Sequence, residues 1–337
     1  MLEAIEIGVQ DVYHPLPLSR AGWSADTQSP CHRENSAFSV RNSSDIRSVV
    51  QQSGTMRSLK GQMSLFDELR RQEPGLNDRQ VLSVACRRLV RETRLHPPIN
   101  PLALMGLRGI VGVEASRLAQ LGCLVQLGNG RSVIHVRAQD HPIRQRFTIF
   151  HEIAHTLLPG YSGTQEFRCV ENAKQEKEQL SNHAAAELLF PGLFFEGDLA
   201  WAGLTTKGLE LLARRYQASL EATAIHAVDH WSSPAICVVA KQPPLTTATL
   251  GSNDRPALVV SYVHRQGVWP EAVNAYAILR SGVLEQTLAA DTHINGTLTL
   301  NNDNHEQATR LRLSAKAYPF RTGGRRQNRV IALLTPV

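Results

Sequence analysis

The run Pro142 to Pro159, PIRQRFTIFHEIAHTLLP, constrains this chain more than any other stretch, because it holds His151-Glu152-Ile153-Ala154-His155 inside a helical pattern. The spacing predicts a helix of about four turns, ended by Pro159-Gly160. Residues four apart stack on one helix face, so both imidazoles can reach a single metal ion. Glu152 follows the first histidine and projects beside it, toward a water held by that ion. With 13 His and 19 Glu in 337 residues, random placement produces the pattern in roughly 0.03 of such chains. The motif therefore has to be judged by its surroundings.

A catalytic zinc needs a third protein ligand and an open fourth position, and in one large class that ligand is a Glu on a following helix. ENAKQEKEQLSNHAAAELLFP reads as such a helix, terminated at Pro191. Glu178 lies on it 23 residues after His155. Asn182, one turn further on the same face, can orient a zinc histidine through its second ring nitrogen. Other donors compete. His183 points about 100° away from Asn182 on the helix; Glu171, Glu176 and Glu187 share the helix with Glu178; His135, His141 and Cys169 stand nearby in sequence. Two histidines and one carboxylate also suit Fe(II) or Mn(II).

Around these positions the chain resembles the ImmA/IrrE family of zinc metallopeptidases. Arg144 to Leu158 is similar to the family's R-F-T-x-x-H-E-x-x-H-x-x-L helix. Glu178 to Pro191 is similar to its second signature, Glu-x-x-Ala/Cys-Asn/Asp followed by small residues and Leu-Leu-x-Pro. Ser181 and Ala184 depart from the commoner Ala/Cys and Phe, a difference that touches packing more than ligation. Pro97 to Ala138 follows the family's order of helix, hairpin and strand, and the likeness spans about residues 75 to 230. It implies a zincin-like α+β fold in which His151, His155 and Glu178 bind one zinc ion and Glu152 is the catalytic carboxylate. It also implies a zinc-dependent endopeptidase whose protein substrate is a helix-turn-helix transcriptional repressor, in a stress or mobile-element response. The strand SVIHVRA is expected to accept an extended substrate by strand addition.

The rest of the chain divides by texture. Residues 1–60 turn from an apolar-acidic start to a Ser/Asn/Arg-rich stretch without period, and read as a mobile extension. Residues 61–200 hold the metallopeptidase pattern. There DRQVLSVACRRLVRETRL is helical with Asn77 or Asp78 as N-cap, PLALMGLRGIVGV begins a second short helix, and Gly128-Asn129-Gly130 turns a hairpin. Residues 201–233 read as one helical stretch with Leu209, Leu212, Ala213, Tyr216, Leu220 and Ala224 on a stripe, either a helix-turn-helix-like motif or a brace for the core. Residues 234–337 carry short apolar runs, AICVVA, ALVVSYV, AYAIL, TLTL, TRLRLSAKAY and RVIALL. They are read as strands of a β-rich module, a sensor of the GAF type or a docking domain.

Composition bounds the remaining classes. Five separated cysteines without C-x-x-C fit free thiols in the reducing cytoplasm. No apolar run is long enough to span a membrane. A net charge of +6 permits a nucleic-acid partner, and residues 307–337 hold seven Lys/Arg and no Asp/Glu, either a solvated strand face or an acidic contact. Two rivals to the protease come from other classes: a non-proteolytic anti-repressor that keeps the metallopeptidase fold, and a DNA-binding regulator that uses the 203–230 helices and the basic tail.

Overall fold

The computed structural model describes residues 65–127, 130–158, 171–242, 258–270, 273–290, 292–300, 308–322 and 325–337. The extension read over residues 1–60 lies outside them, as do the Gly128-Asn129 half of the hairpin turn, the Pro159-Gly160 stop and Cys169. The side chain of Glu171 is likewise outside.

Helix α1 (Leu65–Gln72) precedes α2 (Asp78–Thr93). Asn77 caps α2 reciprocally: its Oδ1 accepts from the Gln80 amide at 3.0 Å, and its own amide donates to Gln80 Oε1 at 2.9 Å. Asn100 caps α3 (Pro101–Leu107), with Pro101 at the first helical position. The sequence pattern carries this helix into Gly109-Ile110-Val111, but Gly109 adopts a φ of 69°, and the chain leaves the helix there. Strand β1 (Ile110–Ser116) begins at the next residue.

The expected hairpin forms from β2 (Gly122–Gln126) and β3 (Ser132–Arg137), antiparallel with Leu124 opposite Ile134. β1 pairs in parallel with the other side of β3, so the sheet order is β1-β3-β2. This corrects the expectation for SVIHVRA. A strand hydrogen-bonded on both sides has no free ladder to offer, so β3 cannot take up an extended segment.

α4 (Pro142–His155) packs against this sheet, and α5 (Glu171–Leu189) packs on α4 and α2. Phe150, Ile153 and Ala154 of α4, Ala184, Ala185 and Leu188 of α5, and Ile134 of β3 are all sealed from solvent. Arg146 is buried as well, donating to the Ile99 carbonyl at 2.5 Å with its guanidinium over the Phe150 ring. A buried cation is tolerated only with such partners.

α6 (Gly192–Ala202) starts at Pro191. The helical stretch over residues 201–233 folds as two helices, α7 (Thr206–Tyr216) and α8 (Leu220–Asp229). Gln217 adopts a left-handed φ of 51° and Ser219 caps the new helix by accepting from the Ala222 amide. Leu209, Leu212, Tyr216 and Ala224 are spent on the same core as α4 and α5, so the stripe braces that core.

The last third is an antiparallel five-stranded sheet of β4 (Ala235–Lys241), β5 (Val259–Gln266), β6 (Ile294–Leu300), β7 (Thr309–Thr322) and β8 (Arg325–Pro336), in the order β5-β4-β8-β7-β6. AYAIL, read as a strand, is instead helix α9 (Ala275–Arg280), because Asn274 accepts from the Ala277 amide and nucleates a turn. α10 (Val283–Ala290) comes directly after it. The central strands are buried on both faces. Cys237, Val239, Ile331 and Leu333 join the core beneath α7 and α8, while Val238, Ala332 and Leu334 alternate into a second core with α9 and α10. The molecule is thus mixed α+β with two small sheets. In the basic tail, Lys316 pairs with Glu210 at 2.8 Å and Arg329 with Glu221 at 2.7 Å, while Arg310 and Arg312 are exposed. At least two of its charges therefore hold the sheet to α7 and α8. No helix among the described residues is long and apolar enough to cross a membrane.

Candidate metal centre

α4 and α5 bring His151, His155 and Glu178 to one point. Their donor atoms lie within 4.8 Å of one another. The two Nε2 atoms are 3.1 Å apart, Glu178 Oε2 is 3.2 Å from His151 Nε2, and Oε1 is 3.9 Å from His155 Nε2. Four ligands around a tetrahedral ion at its usual bond lengths stand roughly 3.3 Å from one another. The observed separations are of that size.

The hydrogen bonds behind the rings fix which nitrogen faces inward. Asn182 Oδ1 lies 3.0 Å from His151 Nδ1 and can only accept, so Nδ1 carries the proton. Ser181 donates its hydroxyl to the Lys177 carbonyl at 2.9 Å, which leaves its oxygen to accept from His155 Nδ1 at 3.1 Å. Both imidazoles therefore turn an Nε2 lone pair toward Glu178. Three lone-pair donors aimed at one point repel unless a cation lies between them, and the donor set suits a borderline divalent metal.

Ser181 is the residue that sequence reasoning misjudged. Read as a packing variant, it is sealed from solvent and holds His155 in its tautomer. The signal was available: position 181 is one turn before the alanines that face the core, and a hydroxyl there needs a partner.

Glu152 is only 6% exposed. Burial first, and then the Glu178 carboxylate, push its pKa up to about 7, against a hydrogen bond from the Leu124 backbone that lowers it. It sits against β2, where a Cβ on Gly122 would come 3.2 Å from its Oε1 and 3.1 Å from the His135 carbonyl oxygen. Gly122 thus makes room for the carboxylate beside the outer strand. Burial also drives His155 down to about 4, so that ring is neutral at physiological pH.

The competing donors go elsewhere. His183 Nε2 lies 3.0 Å from Ser83 Oγ and 3.2 Å from the Arg79 carbonyl oxygen. His141 caps α4, and His135 Nδ1 meets Ser116 Oγ at 3.1 Å. Glu176 is exposed, and Glu187 is buried in a different cluster.

A helix laid on a three-stranded sheet, its histidine pair one turn apart and a carboxylate from the helix packed on it define the metallopeptidase class of fold. Within that class the comparisons are specific: residues 112–227 match the IrrE N-terminal-like domain of the M78 peptidases, which supports the resemblance to the ImmA/IrrE family over that part of the chain. The radiation response metalloprotease IrrE of Deinococcus deserti is 35% identical over 118 residues, covering 33% of this chain and 42% of that protein. Its namesake from Deinococcus radiodurans is 32% identical over 119 residues, covering 33% and 36%. The chain spans less than half the length of these relatives. A Mycobacterium tuberculosis transcriptional regulator shares the fold at a TM-score of 0.50 and 15% identity, over 81% of this chain and 80% of that one.

Proposed function

We propose that this chain is a zinc-dependent endopeptidase that cuts a regulatory protein, a helix-turn-helix repressor, in a stress or mobile-element response. His151, His155 and Glu178 hold the ion, Asn182 and Ser181 set the two imidazole tautomers, and Glu152 is the general base. The observation that carries the reading is the convergence of three lone-pair donors on one point, with both outer ring nitrogens already committed. A bound zinc ion supplies a Lewis acid that acidifies water and polarises the scissile carbonyl.

This chain's own residues do the rest. Glu152, with a pKa near neutrality, can take a proton from water at its carboxylate and hand it to the departing amine. Its burial keeps competing water away. β2 is one of the two outer strands of its sheet, and its Leu124 amide already meets Glu152, so an extended segment laid along β2 would pass the carboxylate. The GAF-type sensor reading of residues 234–337 rests on a five-stranded antiparallel sheet with helices over both faces. The buried stripe of α7 and α8 supports bracing over DNA contact.

The test incubates the full chain, its Glu152→Gln variant and a chelator-treated sample with any helix-turn-helix repressor that a neighbouring gene encodes. Cleavage by the unmodified, metal-loaded chain alone, mapped by mass spectrometry, is the expected result. Equal cleavage by Glu152→Gln would reject the role of Glu152, and no cleavage by any sample would leave the anti-repressor reading in its place.

A further inference from the structure

Glu178 and Glu187 are nine positions apart on α5, which places them on roughly opposite faces of the helix and about 13 Å apart along its axis. Glu178 faces the α4 histidines. Glu187 faces a second pair with the same spacing, His226 of α8 and His230 at its C-cap, and the three side chains again offer donor atoms within 4.8 Å of one another.

The surroundings of this second cluster are those of a ligand set. Glu187 is 5% exposed, and its only ion-pair partner among the described residues is His230, whose Nε2 is 3.7 Å from Oε1. With no Lys or Arg among its described ion-pair partners, a carboxylate taken from water calls for a compensating cation, either a protonated His230 or a metal ion. His226, also 5% exposed, can meet the Phe190 carbonyl at 3.2 Å only by donating Nε2–H, so Nδ1 keeps its lone pair. The other nitrogen of His230, Nδ1, lies 3.7 Å from the exposed Glu196 carboxylate of α6. His226 thus has one nitrogen hydrogen-bonded to a carbonyl and one left over, as ligating histidines do, while His230 sits between the two carboxylates at ion-pair distance. Phe190 and Phe195 pack their rings 4.8 and 4.7 Å from His226 and fix its plane.

We propose that Glu187, His226 and His230 form a second site for a divalent ion of the zinc type, separate from the first, which would tie α5 to α8. His230 lies beyond the residues that match the peptidase family. The ion would act as a clamp: α8 also packs on β4 and β5, so its position relative to α5 sets how the C-terminal sheet sits on the helices.

The experiment counts zinc by mass spectrometry in the untagged full chain after loading and exhaustive dialysis. In a His151→Ala/His155→Ala variant, which removes the first cluster, one equivalent is expected to remain, and adding His230→Gln should remove it. A His151→Ala/His155→Ala chain that keeps its helical circular dichroism but retains no zinc overturns the proposal. So does an equivalent that survives His230→Gln. If the His230→Gln chain does not fold, cobalt(II) in the His151→Ala/His155→Ala variant decides: intense tetrahedral ligand-field bands are expected, and an aquo-like spectrum overturns the site. The count in that variant does not depend on whether the first cluster binds metal, since failure of the peptidase reading would appear as equal counts in the variant and the unmodified chain.

Discussion

A zinc-binding imidazole is only as good as the group behind it, and the first cluster uses two short polar side chains from consecutive positions of α5. Asn182 is exposed yet fixed on His151, and Ser181 is buried under His155. Removing either partner frees a ring to rotate and to exchange tautomers. Asn182→Ala and Ser181→Ala are each expected to weaken zinc binding about 10- to 100-fold, measured by competition with a chelating dye. Unchanged affinity in both would show that helix geometry alone orients the rings. That Asn182 was legible from sequence and Ser181 was not has a simple cause. Helical spacing put Asn182 on the face of Glu178, whereas position 181 falls one turn before the buried Ala184 and Ala185, a place read for packing rather than for the partner its hydroxyl needs.

At the scale of elements, α5 lies between two histidine pairs and β2 lies over Glu152. The β2 contact depends on the absence of a side chain at one position. A Cβ at Gly122 would overlap the Thr148 methyl and crowd both the His135 carbonyl and the Glu152 carboxylate. In the cleavage assay Gly122→Ala is expected to lower the rate about 10- to 100-fold by displacing Glu152, while zinc affinity stays near that of the unmodified chain. Loss of metal together with activity would mean that the strand supports the ligands and not the base. Strand β1 escaped the sequence reading because a short apolar run after a helix has no period of its own. Once β1 occupies one side of β3, β2 becomes the outer strand at the site.

At the scale of the molecule, the peptidase helices and the C-terminal sheet share a core, since Cys237, Val239, Ile331 and Leu333 lie in the same cluster as Phe150, Leu188 and Tyr216. Glu210–Lys316 and Glu221–Arg329 pairs reinforce that contact at its rim. Metal-free protein is therefore expected to unfold in one calorimetric transition that includes both parts. Leu333→Ala should destabilise it by about 2–5 kcal/mol as a whole. Two transitions, with only the later one moved by Leu333→Ala, would show that the sheet folds independently.

What the chain determined by itself is what depends on neighbours within a few turns. The histidine pair and its adjacent carboxylate, the hairpin, the cap at Asn77 and the resemblance carried by residues 144–191 all come from spacing along a helix or across a turn. Tertiary structure decided the rest. It chose β2 and not β3 as an outer strand, broke one helical stretch into α7 and α8 at Gln217, and turned AYAIL into a helix. It also brought Glu187 to histidines some forty residues away. Those outcomes turn on contacts between segments distant in sequence, where periodicity carries no information and burial, hydrogen bonding and charge settle the arrangement together.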